Sequence, residues 1–312
     1  MFYNILKYLP IYSLTKEFID NKGVILSQGP RTYHSLIIFF FIGYFVVFFA
    51  LFNNVQIVDN LLTAIIFLFG SIFVLIDITL QTRLFSSIKK KHRSIIEQNE
   101  QLQKTEEVAI FTLACLAEIK HPETSHHLER TSNYVSLLAT ELQKLPEYKG
   151  YLTERYITDL VKSAPLHDIG KVGVPDTILS KPGKLTSEEF EIIKLHCEYG
   201  ADILRASEKK LGFQSFLRLA IQITFAHHEK WNGEGYPRNL KGNKIPLSAR
   251  IMAVADVYDA LRTESHYKKK ISHETCCRII MKERGIHFDP DIVDAFLRCE
   301  KGFAEISGSH PE

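Results

Sequence analysis

The sequence predicts an all-α protein built from an apolar helical hairpin, a long linker helix and a helical bundle. Three observations predict this class. Two long apolar runs follow one another near the N-terminus, apolar residues then recur at helical spacing, and no segment alternates polar and apolar residues as a strand would. Clusters of glycine and proline separate the helical segments, and the bundle is expected over residues 117–303.

The two apolar runs have the length and flanks of membrane-spanning helices. Ser35 to Val58 contains no charged residue, and Leu61 to Leu80 contains only Asp77. A helix needs about 20 apolar residues to cross a bilayer. Lysine and arginine flank the pair on both outer sides and are missing from the connector, so the positive-inside rule places both ends in the cytoplasm. We expect a cytoplasmic segment over 1–34 and two transmembrane helices over 35–82.

The linker helix is expected over residues 83–116. Its first part is basic and would attract anionic lipid headgroups. Ile88, Ile95, Leu102 and Ala109 recur every seven residues, as in a parallel seam between two copies of the chain. The intervening heptad positions are polar, so a short coiled coil and a single solvated helix both remain open.

The remaining chain divides into helices at its glycine and proline clusters. Residues 230–247 are rich in both and predict a loop, and residues 304–312 predict a frayed tail. The predicted helices are 84–119, 123–143, 153–168, 186–206, 212–229, 248–262, 271–284 and 289–300.

Histidines and carboxylates occur at spacings that suit metal ligation. His167 and Asp168 are consecutive and precede Gly170, which is expected to end their helix; His227 and His228 end another. A vicinal His-Asp pair can place a nitrogen and an oxygen on one divalent cation, with the carboxylate free to bridge to a second. Further candidates are His196, Asp256, and the pair Glu123 and His127, four residues apart on one helical face.

Ordered blocks from about Ala117 to Phe303 resemble the HD-GYP family, a branch of the HD-domain metallophosphohydrolases. They read His-Asp-Ile-Gly-Lys, Lys-Pro-Gly-Lys-Leu, His-His-Glu to Gly-Tyr-Pro, Ile-Pro-Leu-Ser-Ala-Arg-Ile, Val-Ala-Asp-Val-Tyr-Asp-Ala-Leu and Phe-Asp-Pro. The resemblance implies an HD-type helical bundle that hydrolyses the bacterial second messenger cyclic di-GMP to pGpG, and in some members to GMP. It implies two or three divalent metal ions, iron or manganese, although the donor set does not exclude zinc. The implied metal ligands are Glu123, His127, His167, Asp168, His196, His227, His228 and Asp256.

Phosphodiester hydrolysis assigns roles to these residues. A phosphodiester is anionic and resists hydroxide, so clustered cations must supply the nucleophile and neutralise the phosphoryl charge. We expect Asp168 to bridge two metals, a hydroxide bridging the same pair to attack phosphorus, and Lys171 to stabilise charge on an oxygen. Asp168 and Lys171 are the predicted catalytic residues. In family members a glutamate at the position of Glu123 can hold a third metal.

The chain departs from the family after Asp-Ala-Leu. Where the family usually has Arg-Pro-Tyr-Lys, residues 265–268 read Ser-His-Tyr-Lys, so the arginine that grips a substrate phosphate is replaced by Ser265. Aromatic faces bind bases, and Tyr236 is expected to be presented outward by its glycine and proline neighbours. Trp231 can equally pack its loop onto the core. The expected substrate-binding residues are Lys268, Arg262, Tyr236 and Trp231.

Two classes of function follow from these observations. The first is a membrane-anchored phosphodiesterase for cyclic di-GMP, or for another cyclic dinucleotide such as cyclic GMP-AMP. The second is a catalytically weak or silent module that senses the nucleotide or docks a diguanylate cyclase through the Gly-Tyr-Pro loop. The complete ligand set favours the enzyme and Ser265 favours the module. We expect a multi-pass protein of the bacterial inner membrane with a cytoplasmic catalytic domain, pairing with a second copy through the linker, and no nucleic-acid polymer as partner.

The cysteines and the other histidines carry no predicted site. The five cysteines show no Cys-x-x-Cys spacing and are interpreted as reduced thiols, with Cys197 beside His196 more often a small core residue than a ligand. The remaining histidines, His273 among them, are expected to be surface or hydrogen-bonded side chains.

Overall fold

The computed structural model describes residues 29–53, 60–118, 125–264 and 270–309 of the chain. These residues form α-helices, short 3-10 turns and loops, with one isolated bridge between Arg284 and Phe288 in place of any sheet. The all-α prediction is confirmed. In these ranges the helices are α1 (Gly29–Phe52), α2 (Asn60–Glu118), α3 (Ser125–Gln143), α4 (Pro146–Lys149), α5 (Glu154–Ser163), α6 (Asp176–Leu179), α7 (Ser187–Lys194), α8 (His196–Leu211), α9 (Leu217–Ala226), α10 (Leu247–Arg262), α11 (His273–Lys282) and α12 (Pro290–Ser309).

The chain divides into two compact units, residues 1–98 and 99–312, with the boundary inside α2. In the first unit aromatic rings of α1 lie against α2: the centroids of Phe40 and Phe73 are 5.3 Å apart. Among the described residues one helix, Thr63–Glu118, is long and apolar enough to cross a membrane, whereas the apolar stretch of α1, Ile38–Ala50, is shorter. These residues do not support the transmembrane hairpin predicted over 35–82. The linker predicted over residues 83–116 is helical, and it lies entirely within α2.

The core of the second unit is an aromatic cluster between α3, α10 and α12. The rings of Tyr134 and Phe303 stack with centroids 4.4 Å apart, and Tyr258 meets both rings edge-on. All three side chains are fully buried. Burying a large apolar side chain stabilises the fold by about 1.5–3 kcal/mol, so this cluster fixes α10 firmly against α3 and α12.

The last turns of α2 belong to the second unit. Ile110 and Ala114 share a buried apolar cluster with Leu128 of α3 and with Leu166. The ammonium of Lys162 on α5 lies 2.9 Å from a carboxylate oxygen of Glu106. The end of α2 is thereby held beside α3 and beside the turn that follows α5.

The helix predicted over 153–168 is wrong at its end. The α-helix stops at Ser163, and two 3-10 turns follow, Ala164–Leu166 and Ile169–Gly173. Pro165 explains the change, because proline has no N–H for an α-helical hydrogen bond. His167 and Asp168 therefore lie between two tight turns and not on a helix.

Other predicted boundaries also move. The helix 186–206 is broken at Leu195 into α7 and α8, and α8 ends at Leu211, where it is capped by Gly212, whose φ of 72° only glycine adopts easily. The helix predicted over 212–229 therefore begins later, at Leu217. The frayed tail is wrong up to residue 309, since α12 continues to Ser309 and buries Ser307.

Candidate metal centre

Four buried histidines are oriented by the same kind of contact. In each ring Nδ1 donates a hydrogen bond to an oxygen acceptor, which leaves Nε2 as the nitrogen that can bind a cation. The partners and distances are Asp259 Oδ2 for His127 at 2.7 Å, the carbonyl of Ala164 for His167 at 3.0 Å, the carbonyl of Ile193 for His196 at 2.7 Å, and the carbonyl of Ile223 for His227 at 3.0 Å.

The two carboxylate oxygens of Asp168 face different histidines. Oδ1 lies 3.2 Å from Nε2 of His196 and 3.7 Å from Nε2 of His227. Oδ2 lies 3.3 Å from Nε2 of His167 and 2.6 Å from the ammonium of Lys171. A carboxylate in this position can offer one oxygen to each of two cations.

The predicted ligands accordingly form two groups that meet at Asp168. In the first, ligand atoms of Asp168, His196, His227 and His228 lie within 4.8 Å of one another; in the second, those of Glu118, His127 and His167 do so. Asp256 joins the second group, because its Oδ1 is 3.7 Å from Nε2 of His127 and 3.9 Å from Nε2 of His167. All the predicted ligands that the structure describes therefore lie in one of these two groups. Glu123 is not among the described residues.

The donor atoms fit divalent cations. His167 Nε2, Asp168 Oδ1 and His227 Nε2 are buried without a hydrogen-bond partner among the described residues. Leaving a buried polar atom unsatisfied costs about 1–3 kcal/mol, so a set of such atoms converging on one place is costly as a purely structural arrangement. Imidazole nitrogens with carboxylate oxygens are donors that iron, manganese and zinc accept.

Close backbone packing brings Asp168 to His196. A Cβ on Gly170 would overlap the carbonyl oxygen of His196 and approach the amide nitrogen of Gly200 to 2.5 Å. The hydroxyl of Thr224 on α9 donates to the carbonyl of Leu166 at 2.9 Å. The turn that carries Asp168 is thus pressed against α8 and tied to α9, which ends immediately before His227.

The protonation states suit cation binding. Burial alone would raise the pKa of Asp168, but the Lys171 ammonium and the His167 imidazole hold it well below its usual range, and the carboxylate is ionised. Burial and neighbouring imidazoles keep the pKa of His228 well below its ordinary value. Burial opposes a proton on His196, but the adjacent Asp168 carboxylate raises its pKa to about 10, so a cation bound there would displace that proton.

Two carboxylates complete the second group. Asp259 accepts hydrogen bonds from Arg130 at 2.7 and 2.8 Å as well as from His127, and so fixes that imidazole. Glu118 is buried in the last turn of α2 and was not predicted. Its sequence signal is the apolar helical face of Ile110, Ala114 and Ala117, which continues onto Glu118.

The described substrate-binding candidates occupy different environments. Tyr236 is half-buried, with its ring centroid 4.7 Å from that of His228, so the outward presentation expected for it is wrong. Trp231 packs its loop: its backbone N–H donates to the carbonyl of His287 at 2.9 Å, and the guanidinium of Arg250 lies over its ring.

Arg262 closes the C-terminal end of α10. Its guanidinium donates to the carbonyl of Ile271 at 2.7 Å and to the hydroxyl of Ser307 at 3.1 Å. Both donors would have to leave these acceptors to reach a phosphate. Lys268 and the serine that replaces the family arginine lie outside the described residues.

Comparisons with known proteins agree with this architecture. Residues 112–292 match the family model of the HD domain, and the chain therefore belongs to the HD domain family, whose members bind divalent metal. A cyclic di-GMP phosphodiesterase of Vibrio cholerae is 51% identical over 210 residues, which are 67% of this chain and 42% of that protein. A probable cyclic di-GMP phosphodiesterase of the same organism is 47% identical, covering 68% and 48%.

A third relative from Vibrio cholerae, 3'3'-cGAMP-specific phosphodiesterase 2, is 39% identical, covering 68% of this chain and 38% of that protein. The matched part of the chain thus spans less than half the length of these three curated relatives. Together with the all-helical HD-type fold, the relatives support the HD-GYP branch.

Proposed function

We propose that this chain is a metal-dependent phosphodiesterase that hydrolyses cyclic di-GMP to pGpG, or through pGpG to GMP. One observation carries the proposal: Asp168 lies between two groups of buried ligand atoms and turns one oxygen to each. This is the arrangement that two-cation hydrolysis of a phosphodiester requires. The names of the 51% and 47% identical relatives support the same substrate.

The residues of the candidate centre have different proposed roles in hydrolysis. Two divalent cations held at Asp168 would supply a hydroxide nucleophile at neutral pH and neutralise charge on the phosphoryl oxygens. The histidines hold the ligand geometry, because their Nδ1 atoms are already engaged by oxygens of the fold. Lys171, whose ammonium lies 2.6 Å from Asp168, places a positive charge where an oxygen of the substrate would become more negative. Glu123 is proposed as the ligand of a third cation.

Substrate recognition is proposed at the Gly-Tyr-Pro end of the loop. The ring of Tyr236 covers His228 and, with Phe190 at a centroid distance of 6.0 Å, forms an aromatic wall beside the first ligand group. A guanine base could stack on such a wall. Lys268 is the proposed phosphate contact, and Arg262 and Trp231 would contribute only after rearrangement.

Cyclic GMP-AMP is a second candidate substrate, because one relative is specific for it by name. The two substrates present the same phosphodiester linkages and differ in one purine base. The metal chemistry would therefore be shared, and the base contacts would decide between them. Assaying both dinucleotides under the same conditions distinguishes the two proposals.

We also propose that the apolar part of α2 anchors the chain in the bacterial inner membrane, with the catalytic domain on the cytoplasmic side. The apolar part of α2 and the basic residues that follow it support this placement. Ile88, Ile95 and Leu102 are exposed along α2 and offer a seam to a second copy. Docking of a diguanylate cyclase through the Gly-Tyr-Pro loop stays a prediction.

The activity is tested with the full chain in detergent or nanodiscs, loaded with manganese or, without oxygen, with iron. Chromatography of the products should show pGpG or GMP from cyclic di-GMP. Asp168→Ala should lose more than about 100-fold of the rate, whereas the exposed Asp202→Ala should keep it. Equal inactivity of the wild type and Asp168→Ala, with metal bound to the wild type, would exclude the enzyme and favour a sensing module.

A further inference from the structure

A separate cluster of possible metal ligands lies outside the candidate centre. His273 and Cys277 are four residues apart on α11, so they share one face of the helix. Glu300 on α12 completes the group, and ligand atoms of the three residues lie within 4.8 Å of one another. We propose that His273, Cys277 and Glu300 form an independent site for a thiolate-binding divalent cation of the zinc type.

The spacing of the sulfur and the nitrogen suits one tetrahedral ion. Sγ of Cys277 lies 3.6 Å from Nε2 of His273. Bond lengths of about 2.3 Å to sulfur and about 2.1 Å to nitrogen, at a tetrahedral angle, place the two ligand atoms about 3.6 Å apart. The pair therefore has the separation that a shared zinc ion imposes, and because Sγ also lies 3.8 Å from Nδ1, a small turn of the imidazole is needed to point Nε2 at the ion.

The imidazole of His273 is oriented as the histidines of the candidate centre are. Its Nδ1 lies 2.8 Å from the hydroxyl of Tyr258, whose ring is fully buried in the aromatic core. When Nδ1 donates to this hydroxyl, Nε2 carries the lone pair that a cation needs, and Nε2 is the nitrogen nearer to Cys277. The contact with Tyr258 holds the imidazole close to the thiol before any cation binds.

The site is open and carries excess negative charge. His273, Cys277 and Glu300 line a surface pocket of about 600 Å³ together with Glu274, Lys301, Ala304 and Glu305. The lining holds three carboxylates and one ammonium, which favours a cation. Three protein ligands leave the fourth tetrahedral position of zinc open to the pocket, for water or a small ligand.

The thiol and the carboxylate already interact. Burial and the Glu300 carboxylate raise the pKa of Cys277 to about 12, so in the absence of a cation the sulfur keeps its proton. A bound cation would take the place of that proton between sulfur and carboxylate and release it to solvent. The cation would then join α11 to α12 next to α10, the helix that carries Asp256 and Asp259.

Cobalt(II) titration of the full chain tests the site, with the candidate centre already loaded with manganese. Cobalt bound to a thiolate gives a charge-transfer absorption that nitrogen and oxygen ligands alone do not give. We expect this band at one cobalt per chain, lost in Cys277→Ser and retained in Cys299→Ser, whose cysteine lies on α12 outside the group. Cys197→Ser controls for the thiol beside His196 and should also retain the band.

A second variant tests the carboxylate ligand without altering the cysteine. Glu300→Gln should weaken cobalt affinity at least 10-fold, while Glu305→Gln, in the same pocket, should leave it within about twofold. Zinc should raise the thermal midpoint of the wild type more than that of Cys277→Ser. No band in the wild type, or a band lost in Cys197→Ser but kept in Cys277→Ser, would overturn the proposal. None of these measurements depends on turnover.

Discussion

The two candidate metal sites are built in different ways. The centre around Asp168 collects its ligands from separate elements, most of them at helix ends or between 3-10 turns, where the backbone directs each side chain inward. The site around Cys277 takes two of its three ligands from a single face of α11. The first therefore depends on how elements pack together, and the second depends mainly on helical register.

The two sites also differ in donor chemistry and exposure. The centre around Asp168 offers nitrogen and oxygen atoms that are mostly buried, which suits iron or manganese. The other site adds a sulfur and opens to a pocket, which suits zinc. The sulfur is the donor that distinguishes the two sites, so a cation bound at Cys277 can be recognised spectroscopically beside one bound at Asp168.

The largest expected effect comes from Gly170→Ala. The added methyl group would overlap the backbone of α8 beside His196, forcing the Asp168 turn away and costing about 1–3 kcal/mol of stability. We expect loss of the manganese of the centre and of activity, with the cobalt–thiolate band retained. Metal analysis and the cobalt spectrum measure both sites in one sample.

Gly150→Ala is the matched control, because a Cβ there meets no atom within 4 Å and the backbone is right-handed helical. It should keep both metals. If Gly170→Ala kept full manganese occupancy, close packing of the turn on α8 would not be what positions Asp168.

A smaller effect is expected from Asp259→Asn. Asp259 fixes His127 and is paired with Arg130, so the amide would weaken the orientation of one imidazole in the second ligand group. Loss of such a supporting carboxylate typically costs 10–100-fold in metal affinity. Competition with a chelator should show this loss for one class of cation only. Unchanged metal affinity would show that Asp259 does not support the metal centre and acts only as the ion-pair partner of Arg130.

Substrate binding should respond to Ser265→Arg. A restored charge-assisted contact to phosphate is worth about 1.5–3 kcal/mol, which corresponds to a roughly 10-fold or greater fall in KM. kcat should stay the same, because neither metal group is altered. Ser265→Gln, which adds length without charge, is the control, and an equal fall in its KM would show that charge is not the cause.

The smallest effect is expected from Glu141→Gln, which alters neither metal site. Glu141 pairs with Lys144 and with Arg298 of α12, and hydrogen bonding to Lys144 lowers its pKa. A depressed carboxyl pKa contributes stability above the unfolded value of about 4.3, and this contribution is lost as pH falls through the folded pKa. Urea unfolding at neutral pH should show a loss of less than about 1 kcal/mol, and the difference between variants should vanish in acid.

The sequence predicts the candidate centre better than it predicts the local structure that carries it. His127, a predicted ligand, is buried near Asp256, whereas its neighbour His126 lies near Glu129. The helix assigned to His167 and Asp168 is wrong, since Pro165 ends the α-helix earlier. The ligands are identified from their residue types and their order in the chain. That identification does not depend on whether His167 and Asp168 lie on an α-helix or between 3-10 turns.

Contacts made by tertiary packing were not predictable in the same way. Glu118 precedes His127 on a different helix, and only the fold places its carboxylate beside that imidazole. His273 is predicted to be a surface or hydrogen-bonded side chain, although Cys277 follows it by four residues on the same face of α11. Glu300 lies beside them only because α12 packs on α11, and this contact between helices cannot be predicted from residue spacing.

Asp168 is proposed to be shared by two cations. Electron paramagnetic resonance of the manganese-loaded full chain tests this directly, because two manganese ions joined by a bridging carboxylate are magnetically coupled. We expect a coupled spectrum in the wild type that is replaced by signals of isolated manganese in Asp168→Ala and is unchanged in Asp202→Ala. Isolated manganese signals in a fully loaded wild type would contradict it.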